Sequence, residues 1–325
     1  MSPSVFIIIL QYNHSQDTIK CLGSVGKLTY PNFQVVVVDN ASESSEKENT
    51  TNFIKDKENI ILIQNEKNLG YAGGNNVGIR YALEHSADYV FILNNDTTIE
   101  PDLLDKLVAV AENDPQVGIV GPAIKEGNEK TAYYGKIAWL KAELKHVYDQ
   151  SAIRPALDNG FAPLGSPLPR SRSVVHTQGS TLQKGEYVIG AAMLIKKEVL
   201  EKIAGFDEVY FLYFEDADLC LRAQIAGYKL KIAPEAMISH QVSTSTSSLG
   251  KPLILRYHTR NALIFNSLNA PWSIRFSLIF WSGYILLKNF LKVFLFPSTS
   301  WPNQAGEAII DGVLDFYKNH YGKIS

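Results

Sequence analysis

The sequence predicts an α/β fold: a Rossmann-like, mostly parallel central sheet flanked by helices, with a C-terminal helical extension. Two observations carry this. Over the first 120 residues short apolar, β-branched runs alternate with helical patterns, which is how a parallel sheet covered by helices is written. The 325-residue chain is 46% hydrophobic and 20% charged, enough to bury a large core. Strands are expected at Val5 to Leu10, Gln34 to Val38, Ile60 to Ile63, Tyr89 to Leu93 and Val117 to Val120. Between the first two, Ile19, Leu22, Val25 and Leu28 recur at helical spacing after a candidate N-cap at Ser15. After the fourth, Pro101 suits a first helical turn, and Leu103, Leu104, Leu107, Val108 and Ala111 form an apolar stripe.

Lys125 to Lys184 loses this periodicity, with Gly, Pro, Ser and Arg concentrated between Arg154 and Ser173. Loops, an irregular hairpin and mobility are expected there. A strand at Tyr187 to Ile195, a helix at Lys197 to Ile203 closed by Gly205, a helix at Asp216 to Ala226 stopped by Gly227, and a strand at Tyr228 to Ala233 complete the sheet domain. The expected division is a catalytic domain over 1–250, with 125–185 as variable loops, and an extension over 251–325.

Composition excludes several classes. With 31 Lys plus Arg against 33 Asp plus Glu, no basic surface argues for nucleic acid. Cys21 and Cys220 alone supply neither a disulfide framework nor a four-ligand zinc site, so a reduced cytoplasm is the expected compartment. The run Val5 to Leu10 lacks the flanks of a secretory leader. From Phe276 to Leu287 the chain is uncharged, but twelve helical residues reach only about 18 Å against a bilayer core of roughly 30 Å, so a membrane span is not expected. Arg275, Ser282 and Asn289 fall on one face of that helix, with Lys288 and Lys292 nearby and apolar residues over much of the rest. It serves either as an interfacial helix or as packing for the catalytic domain.

The sheet's carboxyl edge, where open α/β folds bind ligands, falls at Gln11 to His14, Asp39 and Asn94 to Asp96. In chain order come Gln11-Tyr12-Asn13, Val38-Asp39-Asn40, Asn68-Leu-Gly-Tyr-Ala-Gly73-Gly-Asn75-Asn-Val-Gly78, Asn94-Asn95-Asp96, Gly205-Phe-Asp-Glu208 and Phe214-Glu215-Asp216-Ala-Asp218-Leu219. This set resembles the inverting family-2 glycosyltransferases of the GT-A fold, particularly the bacterial branch of rhamnosyl- and galactofuranosyltransferases, over roughly residues 4 to 240. Several motifs in the family's order make the likeness specific.

That resemblance implies transfer of a sugar from a nucleoside-diphosphate donor (dTDP or UDP) to a saccharide or lipid-linked saccharide in cell-surface polysaccharide synthesis, with L-rhamnose from dTDP-rhamnose as the leading donor and UDP-galactofuranose or a UDP-hexose behind it. It implies donor binding by Gln11, Tyr12, Asn13, Asp39, Asn68, Gly73, Asn75, Asn94, Asn95 and Asp96. A Mg²⁺ or Mn²⁺ ion would be held by Asp96 and His240, and Asp216 would be the catalytic base, with Glu215 the competing choice. The family usually has two or three aspartates where this chain has Asn94-Asn95-Asp96, which lowers the expected metal affinity. The closely spaced glycines would let backbone approach a phosphate or sugar at a loop-to-helix junction. Asp218 is expected to hold the helix start or a nearby Arg. The cations of Arg256-Tyr-His-Thr-Arg260-Asn261 would touch phosphate or pair with the acidic helix. Two other classes compete: a sugar nucleotidyltransferase, which would need a Gly-rich loop where this chain has Gln11-Tyr-Asn-His14, and a catalytically silent, membrane-docked binding protein.

Overall fold

The structure, a computed structural model, describes residues 2–127, 130–141, 143–149, 179–240 and 250–324. Its strands are β1 (Val5–Gln11), β2 (Phe33–Asp39), β3 (Ile60–Gln64), β4 (Tyr89–Asn94), β5 (Thr97–Ile99), β6 (Val117–Glu126), β7 (Lys130–Ala132), β8 (Tyr134–Ala138), β9 (Glu143–Val147), β10 (Ser180–Thr181), β11 (Glu186–Tyr187), β12 (Ala192–Lys196) and β13 (Lys229–His240). The helices are α1 (Ser15–Val25), α2 (Ser44–Ile54), α3 (Gly70–Glu84), α4 (Leu103–Glu112), α5 (Lys197–Ile203), α6 (Glu215–Ile225), α7 (Lys251–Asn269), α8 (Trp272–Leu295) and α9 (Trp301–Tyr317).

Ten strands form the main sheet, ordered β10-β13-β6-β12-β4-β1-β2-β3, with β5 on β13 and β7 on β6. β1, β2, β3 and β4 run parallel, β12 is antiparallel to both its neighbours, and β13 returns parallel to β6. Each central strand is buried on both faces, as parallel sheets require. Phe6 and Ile8 of β1 pack with Ala72, Ile79 and Ala82 of α3, while Val5, Ile7 and Ile9 meet Cys21, Leu22 and Val25 of α1.

All five expected N-terminal strands form, each one to six residues longer than its apolar run. Four expectations are corrected. Ser15 is the first helical residue rather than the cap: the turn precedes it, with Asn13 and His14 both left-handed (φ 56° and 49°). Tyr187 to Ile195 is two strands, because β11 pairs with β8 in a separate three-stranded sheet whereas β12 pairs with β4 and β6, and the chain crosses between sheets at 188–191. Tyr228 to Ala233 is only the start of β13, which passes an irregularity between Ala233 and Met237 and continues to His240. Pro234, which has no N–H to donate, sits in that irregularity.

The fourth correction concerns α8. It has 24 residues, about 36 Å at 1.5 Å per residue, and is long and apolar enough to cross a bilayer by length and composition. The estimate from twelve residues took the charge-free run for the whole helix; Arg275, Lys288 and Lys292 lie inside it. β8 and β9 supply a hairpin in the weakly patterned region, and Arg154 to Ser173 lies outside the described residues.

Candidate functional site

A cavity of about 280 Å³ opens at the carboxyl edge of β1, β2 and β4. One wall is Leu10, Tyr12, Asn40, Asn94, Asn95 and Asp96, with His240 beside Asp96; Gly190, Tyr213, Glu215 and Asp216 also line the cavity. The structure thus brings the Asn94-Asn95-Asp96 turn and the acidic start of α6 to a shared cavity.

Strand pairing explains how His240 arrives. β13 runs antiparallel to β5 with His240 opposite Thr97, the residue after Asp96. His240 Nε2 consequently lies 3.1 Å from Asp96 Oδ1. That oxygen is buried and makes no hydrogen bond despite the short distance. Asn95 is fixed by its Nδ2, which donates to Thr18 Oγ1 at 3.1 Å.

The acidic wall is set by the loop before α6. Phe211, Tyr213 and Phe214 all have positive φ (65°, 70° and 76°), a conformation that L-residues enter only when neighbours impose it. The imposing groups are two buried side chains of α7. Asn261 Nδ2 donates to the carbonyls of Tyr210, Leu212 and Tyr213 at 3.0, 2.7 and 3.0 Å, and Arg260 Nη2 to Tyr210 O at 3.0 Å. Arg256, meanwhile, forms a two-pronged pair with Asp315 of α9 at 2.7 and 3.0 Å. The Arg256 to Asn261 motif therefore touches neither the acidic helix nor the cavity. It is scaffolding, which the spacing of charges alone does not reveal. Asn261→Ala is expected to take a donor from the carbonyls of Leu212 and Tyr213, while Tyr210 O keeps Arg260, costing about 1–3 kcal/mol of stability by denaturant unfolding and lowering turnover more than donor affinity.

At the helix start, Asp216 accepts from Gly190 N (2.9 Å) and Ala217 N (2.8 Å), so its carboxylate is oriented by backbone. Burial raises its pKa, opposed by those two N–H groups. Glu215 has less help: Oε2 is buried without a hydrogen bond, and desolvation, then the neighbouring Asp216 charge, hold its carboxyl well above the usual range against the pull of its own backbone N–H. Asp218 faces away, gripping Arg222 Nε at 2.6 Å and accepting from Asn269 at 3.0 Å, as expected for a residue holding the helix start and an Arg.

Because Glu215 binds its proton more tightly folded than unfolded, its cost is absent below the unfolded pKa and develops as pH rises above it. Glu215→Gln should therefore stabilise the protein by about 1–2 kcal/mol at pH 8, with the gain vanishing near pH 4. A pH series of melting curves checks the sign.

Not every expected donor contact reaches the cavity. Asp39 is 1% exposed, behind the wall rather than on it: Gln11 Nε2 at 3.5 Å and the Ser42 N–H at 3.4 Å approach its carboxylate, and Lys47 Nζ lies 3.7 Å away. Gln11 is itself held by Thr50 Oγ1 at 2.7 Å, and Asn13 ties the loop to Ser42 and Glu43. Neither lines the cavity. The Gly-rich run is mostly helix, not loop. Gly73 and Asn75 lie inside α3, and a Cβ at Gly74 or Gly78 would meet Leu10 or Ile8 at 2.4 Å, so those glycines let α3 sit close to β1. Of that run Asn68, Gly70 (φ +75°) and Tyr71 line the cavity.

Among the lining residues that the sequence reading did not assign to the site are Asn40, Tyr71 and Gly190. Asn40 donates to Asn68 Oδ1 and Gly70 O, both at 3.0 Å, and its own Oδ1 accepts from Leu69 N at 3.0 Å, fastening the end of β2 to the start of α3. Tyr71 donates to Gly190 O at 2.6 Å, so the residue whose N–H aims Asp216 is clamped on its other side. A Cβ at Gly190 would come within 3.1 Å of Asp216 Cβ. Short-range pattern carries no sign of such pairings between distant elements.

The family model described as glycosyl transferase family 2 matches residues 6–203, more than half of the chain, and one described as glycosyl transferase family group 2 matches 173–304. The chain belongs to glycosyl transferase family 2. This family-2 glycosyltransferase is 26% identical to the dTDP-rhamnosyl transferase RfbF of Shigella flexneri, over 81% of this chain and 80% of that one. It is 23% identical to the N-acetylglucosaminyl-diphospho-decaprenol L-rhamnosyltransferase of Mycobacterium tuberculosis, over 82% and 85%. Among solved structures it is similar in fold to a mannosyltransferase from Pyrobaculum calidifontis in complex with GDP-Man and Mn²⁺, with a TM-score of 0.55 at 16% identity over 98% and 88% of the two chains. It also resembles GalNAc-T7 with UDP, GalNAc and Mn²⁺, with a TM-score of 0.59 at 15% identity, covering 97% of this chain and 56% of that one. The GT-A-like α/β fold of the glycosyltransferase is thereby shown.

The glycosyltransferase's residues fit a divalent cation in part. Among the described residues no three His, Cys, Asp or Glu side chains converge. Two do: the orphaned Asp96 Oδ1 and the His240 ring nitrogen lie within 3.1 Å of each other on the cavity wall. Two protein donors leave several positions of a hard cation to phosphate and water oxygens, which is the habit of Mg²⁺ in nucleotide sites; an imidazole ligand tilts the preference toward Mn²⁺.

Proposed function

We propose that this glycosyltransferase moves a sugar, L-rhamnose from dTDP-rhamnose as the leading case, onto a saccharide carried by a polyprenyl diphosphate, with inversion, at the cytoplasmic face of the membrane during surface polysaccharide synthesis. The observation that carries the reading is the cavity itself, with Asp96 and His240 at one side and a backbone-oriented Asp216 at the other. The donor preference is supported by the Shigella relative's name and the acceptor class by the Mycobacterium relative's.

In the proposed step the acceptor hydroxyl oxygen attacks the anomeric carbon from the side opposite the diphosphate, its proton passes to Asp216, and the carbon–oxygen bond to the diphosphate breaks with its electrons leaving on phosphate. A cation held by Asp96 and His240 would supply charge neutralisation on the departing diphosphate. Asp216 suits the base better than Glu215: N–H groups of Gly190 and Ala217 favour its ionised form and fix its aim, whereas Glu215 has one carboxylate oxygen buried without a donor and its pKa held well above the usual range. Tyr71 and Gly190 position that carboxylate without touching the reacting atoms.

Purified protein incubated with dTDP-rhamnose, UDP-galactofuranose and UDP-hexoses, each with Mn²⁺ or EDTA, tests the reading. Consumption of dTDP-rhamnose in Mn²⁺ is expected. A panel in which no nucleotide sugar binds or turns over would return the chain to the silent-binding alternative.

A further inference from the structure

The inward side of α8 mixes apolar and polar groups: Leu278 packs with Leu263 and Val313, Ser282 (1% exposed) hydrogen-bonds Tyr317 of α9 at 2.7 Å, and Asn289 (3% exposed) packs on α9 beside Gly306. Its outward side is apolar along its whole length, with Trp272, Phe276, Phe280, Leu287, Phe290 and Phe294 between 64% and 82% exposed. A contiguous apolar face of this kind is a docking surface, and turning it inward would strip Ser282 of its partner. Aromatic residues interleaved with two lysines on the flank fit the boundary between hydrocarbon and headgroups.

That lysine flank borders a groove of about 630 Å³ between α7 and α8, lined by His258, Thr259, Tyr284, Lys288, Lys292 and Phe214 among others. Lys288 and Lys292 stand one helical turn apart, and neither has a carboxylate within ion-pair distance among the described residues. The one acidic residue lining the groove, Glu143, lies 3.4 Å from Lys145. The groove ends against the catalytic loop: His258 stacks on Tyr213 with ring centroids 4.1 Å apart and meets Phe214 edge-on at 6.2 Å, and Tyr213 and Glu215 already line the catalytic cavity. Apolar face, paired cations, aromatic bridge and Asp216 follow in spatial order.

We propose that the α7–α8 groove is the acceptor's diphosphate subsite, in which Lys288 and Lys292 hold the diphosphate of a polyisoprenyl-diphosphate-linked saccharide, its hydrocarbon lying along the outward face of α8 in the bilayer and its sugar passing Tyr213 toward Asp216. This rests on the acceptor class proposed above. Two lysines a turn apart match a flexible anion with several oxygens, and neither groove nor helix offers a comparable fit to a neutral glycan.

Calorimetry on the full chain, saturated with dTDP and Mn²⁺ to fill the donor side, tests it with farnesyl diphosphate and farnesol in the same non-ionic micelles. Farnesyl diphosphate should bind at least tenfold more tightly than farnesol, the Lys288→Ala/Lys292→Ala variant should erase that difference, and its affinity for dTDP should equal the wild type's. Equal binding of the two probes, or a double variant that still prefers the diphosphate, overturns the subsite. A second copy as the occupant of the apolar face would appear as a detergent-free dimer that Phe280→Glu splits, with no flotation on phosphatidylglycerol vesicles, and that too overturns it. Transfer to a lipid-linked acceptor that ignores the lysines sinks the subsite and leaves the function standing. Diphosphate-selective, lysine-dependent binding with no turnover of any donor does the reverse.

Discussion

Asp216→Asn is expected to lower kcat by about a thousandfold while leaving donor affinity within a factor of two or three, because the amide keeps the shape of the side chain and loses only the proton acceptor. Donor titration by calorimetry and single-turnover transfer separate the two quantities. The pH profile adds a second check. Burial raises the Asp216 pKa, so the ionised base is lost as pH falls through a value above the ordinary aspartate range, and kcat should decline on the acid side correspondingly early. Glu215→Gln should retain most turnover. If it is instead the inactive variant and Asp216→Asn turns over normally, the base is Glu215.

Asp96→Ala is expected to weaken Mn²⁺-dependent nucleotide binding by at least tenfold and to remove the difference between Mn²⁺ and EDTA, since it deletes the carboxylate of the Asp96–His240 pair. Calorimetry with dTDP in each condition reads this without any acceptor. Unchanged affinity in Mn²⁺ would take Asp96 out of cation binding. A useful contrast is Asn95→Ala: Asn95 donates to Thr18 rather than to the Asp96 carboxylate, so the metal-dependent part of binding should survive its loss.

What could be seen in the sequence was whatever local patterning writes. The strands of the parallel sheet announce themselves because burial on both faces demands unbroken apolar runs, and α1 and α4 because each presents one apolar stripe. α2 was invisible, with Thr50 and Ile54 its only buried positions. The Asp96 and Asp216 positions followed from motif order. The lengths of β13 and α8 did not: β13 crosses an irregularity at a proline that reads as a stop, and the charges that interrupt the apolar run of α8 do not interrupt its helix. The burial of Asp39 was not legible in one dimension, since only tertiary packing brings Gln11 and Lys47 to its carboxylate. Gly190, Asn40 and Asn261 act through contacts between distant segments, which no single window contains.

The left-handed loop before α6 is also tied to the far end of the described chain. Arg260, fully buried, reaches the carbonyls of His320 and Gly322 with the same guanidinium that holds Tyr210, and Gly322 N donates to Val209 O. Residues 320–322 thus brace the loop that leads into the proposed base, like a wedge under a hinge. An affinity tag fused there, or a trim that removes them, would be an edit to the chemistry rather than to an appendage.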